Sequence, residues 1–290
     1  MGTADNITAP AFRIRGSKFR LAKWIISHFP WHRVYVEPLG GAGNVLLQKP
    51  PAAVEIFNDL DGDIVNFFRV ARNPSTNALL CDMLDMTPFA RVEFDEAFER
   101  AEDPVEQARR LVVRTEMGMG SMYEHDRAGF RTDSNVTTKP KTAQGYWDSI
   151  SDRMKPILKR FKGVLIENRP ALDVMRKHDG QDVLHYVDPP YLPSVRDQNR
   201  NSQRFYRYEM SFSEHEVLLR GLLNLEGMVV ISGYDNELYN DMLQGWRQES
   251  KEAMVSAFRG TKKQIECLWL NPACVEALAK QGDFQKGLLL

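Results

Sequence analysis

The sequence predicts an α/β fold, in which a mostly parallel sheet carries an inserted, mainly helical lobe. Three observations support this prediction: short apolar runs that end in polar residues, helical apolar spacing between them, and a break in that rhythm from about residue 71 to 160. Short apolar runs that alternate with helical patterns indicate βαβ units. A chain of 290 residues is long enough for one large domain with such an insertion.

The first predicted unit consists of a strand, a glycine turn and a helix. Residues 34–36 form the strand, residues 37–43 (EPLGGAG) the turn, and residues 44–47 the apolar start of the helix. This order is typical of the first unit of a Rossmann-like sheet. The turn reads G-G-x-G rather than G-x-G-x-x-G, so it does not predict a pyrophosphate cradle.

The second predicted strand, residues 54–57, ends at Asn58 and Asp59, and a helical pattern follows over residues 64–71. An acid at this strand tip commonly accepts hydrogen bonds from ribose hydroxyls, while nearby glycines let a ligand approach the backbone. Asp59 and the glycine turn therefore predict a pocket for an adenosine group without phosphates.

Four more apolar runs predict strands, and two sequence signals predict helix starts. Pro170 suits the first position of a helix, and Ser213 with Glu216 has the spacing of a capping box. The predicted strands are residues 164–167, 183–187, 228–232 and 265–270.

The tetrad Asp188, Pro189, Pro190 and Tyr191 directly follows the apolar run 183–187. Proline fixes φ and lacks a donor, so the pair cannot continue a central strand and holds the adjoining backbone in one shape. The tetrad would present acceptors and a flat stacking face at the carboxyl edge of the sheet, where open α/β sheets bind ligands. A planar ring with an exocyclic amine would fit there. The alternative is a strand-terminating turn with an exposed acid.

Overall charge gives no sign of a polyanionic partner, because 38 basic residues face 39 acidic ones. Two segments are locally basic. Residues 6–36 contain six Lys or Arg and no acid, and residues 196–208 contain four arginines and three aromatics beside one acid. Arginines interleaved with aromatics suit phosphate contacts and base stacking, with a solvated polar loop as the alternative.

Composition argues against several other classes of protein. The apolar stretches are too short to span a membrane and the N-terminus lacks the core of a signal peptide, so we expect a soluble, cytoplasmic protein. Three cysteines without a C-x-x-C pair argue against a disulfide framework or a cysteine zinc site. The six histidines form no H-E-x-x-H pattern, so no metal is expected.

Seven motifs are spread along nearly the whole chain. They are residues 12–18 (FRIRGSK), 37–43 (EPLGGAG), 58–59 (ND), 166–169 (IENR), 188–191 (DPPY), 231–235 (ISGYD) and 266–272 (ECLWLNP). In this order they resemble the motifs of Dam-like (alpha-class, phage-type) adenine-specific DNA methyltransferases. The resemblance is weakest between residues 71 and 160, where such families vary most.

The resemblance implies a Rossmann-like sheet that binds S-adenosylmethionine as methyl donor, with adenine N6 in double-stranded DNA as acceptor. Residues 1–70 and 160–290 would form a discontinuous catalytic, cofactor-binding domain, and residues 71–159 a target-recognition lobe. A structural cap on the sheet is the alternative for the lobe. No obligatory protein partner or membrane is implied, and a monomer in a bacterial or phage-infected host cytoplasm is expected.

The resemblance also assigns site residues. Asp188, Pro189, Pro190 and Tyr191 correspond to the catalytic tetrad. Ile14, Leu39 and Pro170 depart from the family pattern, which puts cofactor affinity in doubt. The cofactor-binding positions are Ile14, Lys18, Glu37, Pro38, Gly40, Gly41, Gly43, Asp59, Asn168, Arg169 and Asp188.

Candidate DNA contacts lie in the lobe and in the basic loop after the tetrad. The lobe residues would read bases or phosphates, and the loop arginines would hold phosphates around an extruded base, with surface charge as the alternative. The candidates are Arg114, Arg127, Arg131, Arg200, Arg204 and Arg207, with Asn135 as a further candidate for adenine.

Elementary chemistry supports an amine acceptor at the tetrad. The lone pair of an adenine amino group is conjugated with the ring, so acceptors aimed at its hydrogens favour the tetrahedral geometry needed for attack. Asp188 and the Pro189 carbonyl would be those acceptors. Cytosine N4 methylation, a catalytically weak or inactive DNA-binding protein, and a nicotinamide-dependent oxidoreductase remain alternatives. The recognition sequence is not predicted.

Overall fold

The computed structural model describes residues 7–119, 129–132, 143–192, 194, 207–257 and 260–287. It confirms the predicted α/β fold with a seven-stranded sheet. The strands are β1 (Val34–Glu37), β2 (Val54–Asn58), β3 (Leu165–Glu167), β4 (Val183–Val187), β5 (Met228–Tyr234), β6 (Arg247–Ala257) and β7 (Gly260–Leu270).

The strands lie in the order β3-β2-β1-β4-β5-β7-β6. The first five are parallel to their neighbours, whereas β7 runs antiparallel to both β5 and β6. Chain order reverses between β1 and β4, which makes the space beyond their carboxyl ends the topological switch point. Ligands of open α/β sheets bind in the crevice at such a point.

Helices cover both faces of the sheet. In chain order they are α1 (Ala22–Ile26), α2 (Asn44–Gln48), α3 (Gly62–Ala71), α4 (Pro74–Met86), α5 (Arg91–Glu96), α6 (Pro104–Met117), α7 (Ala143–Trp147), α8 (Met154–Phe161), α9 (Ala171–Lys177), α10 (Phe212–Leu222), α11 (Glu237–Met242) and α12 (Pro272–Gly287). None of the described helices is long and apolar enough to cross a membrane.

Side-chain caps set the helix starts. Asp61 caps α3 by accepting from the Asp63 N–H, and Asn73 and Asp103 cap α4 and α6 ahead of a proline. The predicted capping box of α10 was misplaced by two residues. The pair is Ser211 with Glu214 rather than Ser213 with Glu216, because the chain already turns into the helix at residue 212.

Two hydrophobic clusters pack on opposite faces of the sheet. Side chains alternate along each strand, so Tyr186 belongs to one cluster and its neighbour Val187 to the other. The larger cluster also contains buried residues of α4, α6 and α8, such as Leu84, Leu111 and Phe161. The helices of the segment 71–160 therefore share one continuous core with this face of the sheet.

Among the seven strands, β6 is the one that the sequence did not predict. Its first residues, Arg247 to Ala253, are mostly polar and solvent-exposed, and it lies at an edge of the sheet, where it pairs with β7. Edge strands commonly carry such charged side chains. The three cysteines are free thiols, of which Cys267 and Cys274 are buried.

Candidate active site at the carboxyl edge of the sheet

A cleft of about 380 Å³ opens at the switch point between β1 and β4. This volume lies within the range of small-molecule sites. Its walls come from the segment before α1, the glycine turn, the end of β2, the start of α9, the tetrad and the start of α10. Both sequence-predicted features, the glycine turn and the tetrad, therefore meet at one site.

The glycine turn is held against the end of β2 by backbone hydrogen bonds. Gly40 N–H donates to the Asn58 carbonyl, and Gly41 N–H donates to Asp59 Oδ2, each at 2.8 Å. Gly41 has a φ of 51°, which favours glycine. A Cβ on Gly40 would lie 2.1 Å from the Phe57 ring, so only glycine fits there.

Two carboxyl groups in the cleft have raised pKa values. Burial raises the pKa of Glu37 to about 8, although the Tyr35 hydroxyl donates to it at 2.7 Å and the Leu46 N–H at 3.0 Å. Burial likewise raises the pKa of Asp59 to about 6, despite hydrogen bonds from the N–H groups of Asp61 and Gly41. Strong upward shifts in a cleft are typical of functional carboxylates.

Asp188 stands at the end of β4, where its Oδ1 atom accepts two contacts. Lys18 Nζ lies 2.9 Å from Oδ1, and the Ser232 hydroxyl donates to it at 2.8 Å. Lys18 is 5% exposed, and its Nζ also lies 3.6 Å from Glu266 Oε1. One buried cation is thus shared by two carboxyl groups.

Tyr191 is fixed on several sides. Its hydroxyl donates to Glu266 Oε1, its ring packs edge-on against Tyr234 with centroids 4.6 Å apart, and Lys18 Nζ lies 4.5 Å from the ring centroid. Burial raises the pKa of Glu266, and of the Tyr191 hydroxyl, above their usual ranges. The ring is therefore held in one orientation beside the Asp188 carboxylate.

Most of the predicted cofactor positions line the cleft, but not all. Pro38 uses its carbonyl to accept from the Asn58 side chain, and Gly43 forms the N-terminal cap of α2. Asn168 and Arg169 are exposed and bond to the backbone or side chain of the β2 end. The positions that line the cleft are Ile14, Lys18, Glu37, Gly40, Gly41, Asp59 and Asp188, together with the tetrad residues Pro189, Pro190 and Tyr191.

The structure does not place Arg114 where DNA could reach it. Its side chain is 5% exposed, lies 3.0 Å from Asp63 and donates to the Ala97 carbonyl. The expectation of a DNA contact therefore gives way to a structural role, because Arg114 lies on the buried face of α6, where it pairs with Asp63 of α3. Sequence periodicity alone could not show that an acid of another helix lies beside this arginine.

The structure describes only two of the other predicted DNA contacts, Arg207 and Arg131. Arg207 lines the cleft, is 36% exposed and lies 3.1 Å from Asp61. Arg131 is half-buried, and its N–H donates to the Met117 carbonyl. Arg127, Arg200, Arg204 and Asn135 lie outside the described residues.

Sequence reasoning assigned no role to several polar residues at the site. Ser232 and Glu266 are buried in the strands β5 and β7, and Asn44 is a buried lining residue. A polar residue within an apolar strand was the available signal, as in VVISGY and IECLWL. Their partners come from distant segments, which the sequence does not reveal.

The arrangement favours a ligand that carries positive charge and hydrogen-bond donors. Three carboxyl groups, Glu37, Asp59 and Asp188, lie at the tips of adjacent strands, and Lys18 is the buried cation beside them. The Asn44 Oδ1 acceptor is buried without a partner among the described residues. Within the described chain, no group of three or more potential metal ligands is present.

One comparison with known proteins identifies a family. A family model described as D12 class N6 adenine-specific DNA methyltransferase matches residues 15–257. No curated protein matches the chain. Among solved structures, the chain is similar to the precorrin 8W decarboxylase of Methanobacterium thermoautotrophicum, with 10% identity and a TM-score of 0.34 over 91% of this chain and 99% of that one, too weak a likeness to support an argument.

The family match spans far more than half of the sequence, and it includes both the glycine turn and the tetrad. It confirms the resemblance that the sequence motifs indicated. The chain belongs to the D12 class N6 adenine-specific DNA methyltransferases.

Proposed function

We propose that this DNA adenine methyltransferase uses S-adenosylmethionine as methyl donor and acts on an adenine flipped out of duplex DNA. The observation that carries the proposal is the position of Asp188. Its carboxylate stands at the switch point, beside the fixed ring of Tyr191 and within one cleft with the glycine turn and Asp59.

The cleft residues fit this cofactor by their chemistry. S-adenosylmethionine carries a sulfonium, an ammonium and two ribose hydroxyls, and it lacks phosphates. Glu37 and Asp59 offer acceptors for such cations and donors, and Asn44 Oδ1 is a buried acceptor with no partner among the described residues. A Cβ on Gly41 would lie 3.0 Å from the side chain of Ile14, which lines the same cleft, so glycine keeps this part of the wall open.

The departures at Ile14, Leu39 and Pro170 do not obstruct the cleft. All three residues line it with apolar surface, which suits the flat face of a nucleobase. We therefore infer that they adjust cofactor affinity without removing the site.

When bound, the cofactor supplies an electrophilic methyl group on a positively charged sulfur. Asp188 accepts one hydrogen of the adenine amino group and the Pro189 carbonyl accepts the other, which favours a tetrahedral nitrogen and stabilises its developing positive charge. Tyr191 stacks on the base, and Pro189 with Pro190 keeps these groups in fixed positions. Holding the amine in place supplies much of the rate.

A base within the helical stack cannot reach the bottom of this cleft, so the nucleotide must leave the stack. Extrusion costs a few kcal/mol, which stacking on Tyr191 and phosphate contacts would offset. We infer such contacts for Arg207 at the cleft, for Arg131, and for Arg127, Arg200 and Arg204 outside the described residues. We further propose residues 71–159 as the target-recognition lobe of a monomeric enzyme.

Methyl transfer to synthetic duplexes tests this function directly. The protein is incubated with labelled S-adenosylmethionine and adenine-containing duplexes of mixed sequence, and the DNA is digested to nucleosides. Label is expected in N6-methyladenine. Asp188→Ala should lower the rate about 10²- to 10⁴-fold, since a positioned group that assists proton movement contributes about this much.

Label found only in N4-methylcytosine would select the cytosine alternative. Absence of label together with intact DNA binding would select the inactive DNA-binding alternative. Glu276→Gln is a matched control, because this exposed acid lies on α12 and pairs only with Lys280, away from the cleft.

A further inference from the structure

We infer that Ser232 is a positioning residue, which together with Lys18 anchors Asp188 through Oδ1 and thereby assigns Oδ2 as the oxygen that accepts the adenine amino hydrogen. This inference rests on the proposed function and names a residue that the family motifs leave without a role.

Strand register places Ser232 beside Asp188. Strands β4 and β5 are parallel neighbours in which Val187 pairs with Ile231, so the next residues of the two strands, Asp188 and Ser232, lie side by side. Ser232 is fully buried. A hydroxyl in such a position requires partners, and it finds them in the carboxylate at 2.8 Å and the Val187 carbonyl at 3.4 Å.

The proton of Ser232 is directed to Asp188 by a second hydroxyl. Tyr186 Oη lies 3.2 Å from Ser232 Oγ. Burial and the charge of Asp188 raise the pKa of Tyr186 well above its usual range, so its proton stays in place and can be donated to Ser232. A hydroxyl that accepts from Tyr186 is free to donate its own proton to the carboxylate, and such chains strengthen each bond.

Lys18, from the segment before α1, contacts the same oxygen. Its Nζ lies 2.9 Å from Oδ1, and the Gly16 carbonyl and Glu266 help to hold the ammonium there. Among the described residues, none donates a hydrogen bond to Oδ2. Asp188 is 20% exposed, so this second oxygen is the one available to a substrate in the cleft.

The division between the two oxygens has a mechanistic consequence. A carboxylate anchored at one oxygen cannot rotate freely, so the other oxygen keeps one direction towards the amino group. Removing the serine hydroxyl would leave Lys18 as the sole anchor and loosen that direction. Positioning losses of this kind reduce the rate of the chemical step more than substrate affinity.

The test is single-turnover methyl transfer by Ser232→Ala and Ser232→Cys on the duplex that the wild type methylates. We expect the rate constant to fall about ten- to a hundredfold in Ser232→Ala, the effect of losing one hydrogen bond to a charged group, and less in Ser232→Cys, which retains a weak donor. The reaction amplitude and the KM values for cofactor and DNA should stay within about twofold.

Thr115→Val is the matched control, because it removes a fully buried hydroxyl of α6 that bonds only to the carbonyls of Leu111 and Val112. It should keep the wild-type rate. A lower amplitude at an unchanged rate in both Ser232 variants would show a merely structural role and overturn the inference, as would a full rate in Ser232→Ala. If the wild type itself methylates no adenine, the proposed function fails instead.

Discussion

Two clusters of buried charge lie at opposite ends of the parallel strands, and they are balanced in opposite ways. At the amino end, Glu55 is shared by two cations, with Lys49 Nζ at 2.6 Å and Arg160 Nη2 at 2.8 Å. At the carboxyl end, two carboxyl groups, Asp188 and Glu266, share the cation of Lys18.

The pKa shifts follow this balance. Burial alone would raise the pKa of Glu55, but the hydrogen bonds and charges of Arg160 and Lys49 outweigh burial and lower it. At the carboxyl end of the strands, burial dominates and raises the pKa values of Glu37 and Asp59 in the cleft and of Glu266 beside it. In the first cluster, two cations balance the charge of one carboxylate. In the second, carboxyl groups outnumber the cation beside them, so their oxygens can accept from a ligand.

The largest effect on stability is expected from a substitution of Glu55. Glu55→Gln should lower the free energy of unfolding by about 3 to 5 kcal/mol, since it leaves two buried cations without their carboxylate. Because the pKa of Glu55 is lowered, its contribution is present above the ordinary glutamate pKa and disappears as the pH falls through the lowered value. Urea denaturation at pH 7 measures the loss.

The difference in unfolding free energy between Glu55→Gln and wild type should shrink at low pH, where the Glu55 carboxyl group is protonated in both the folded and the unfolded protein. Glu102→Gln, an exposed acid outside any helix, is the control and should stay within about 0.5 kcal/mol of wild type. A Glu55→Gln protein as stable as wild type would contradict the view that this cluster is purely structural.

The central strands were predictable because they are buried and therefore appear in the sequence as apolar runs. The runs that became β1, β2, β4 and β5 were placed within one or two residues. Strand β6 was not predicted because its first residues, Arg247 to Ala253, are mostly polar and exposed and form no apolar run.

The site was only partly predictable, for a different reason. Asp188 and Asp59 end strands, so the carboxyl-edge rule finds them from sequence. Ser232 and Glu266 reach the site through strand pairing. The register of β4 and β5 brings the Ser232 hydroxyl beside Asp188, and Glu266 lies on β7, which runs antiparallel to β5. Arg114 shows the converse, since a basic residue that was predicted to contact DNA is buried on α6 and pairs with Asp63.

Cofactor binding should depend on pH, because the Asp59 carboxyl group in the cleft has a raised pKa. Asp59 has a pKa of about 6, so below that pH it is protonated and loses its strength as an acceptor for ribose hydroxyls. The Kd for S-adenosylhomocysteine should therefore rise as the pH falls from 7 to 5, by up to about tenfold per unit below the pKa. Isothermal titration calorimetry across this range measures it.

Asp59→Asn should bind more weakly at pH 7 and lose most of the pH dependence between 5 and 7. Lys280→Gln, an exposed substitution on α12, leaves the cleft untouched and should keep the wild-type curve. An unchanged pH dependence in Asp59→Asn would assign the titration to another group and remove Asp59 from the cofactor site.

The smallest expected effect, and the sharpest contrast with Glu55→Gln, comes from the same substitution at Glu266, which contacts the cleft residues Lys18 and Tyr191. Burial raises the pKa of Glu266, which means that the folded chain disfavours its charged form. A neutral glutamine keeps the shape and can still accept from the Tyr191 hydroxyl, while Lys18 retains Asp188. Glu266→Gln should therefore change the free energy of unfolding at pH 7 by less than about 1 kcal/mol. Urea denaturation of Glu55→Gln and Glu266→Gln under the same conditions tests this contrast. Equal losses of unfolding free energy would mean that both clusters stabilise the fold. A large loss at Glu55 alone would mean that the amino-end cluster stabilises the fold and that the carboxyl-end cluster serves the reaction.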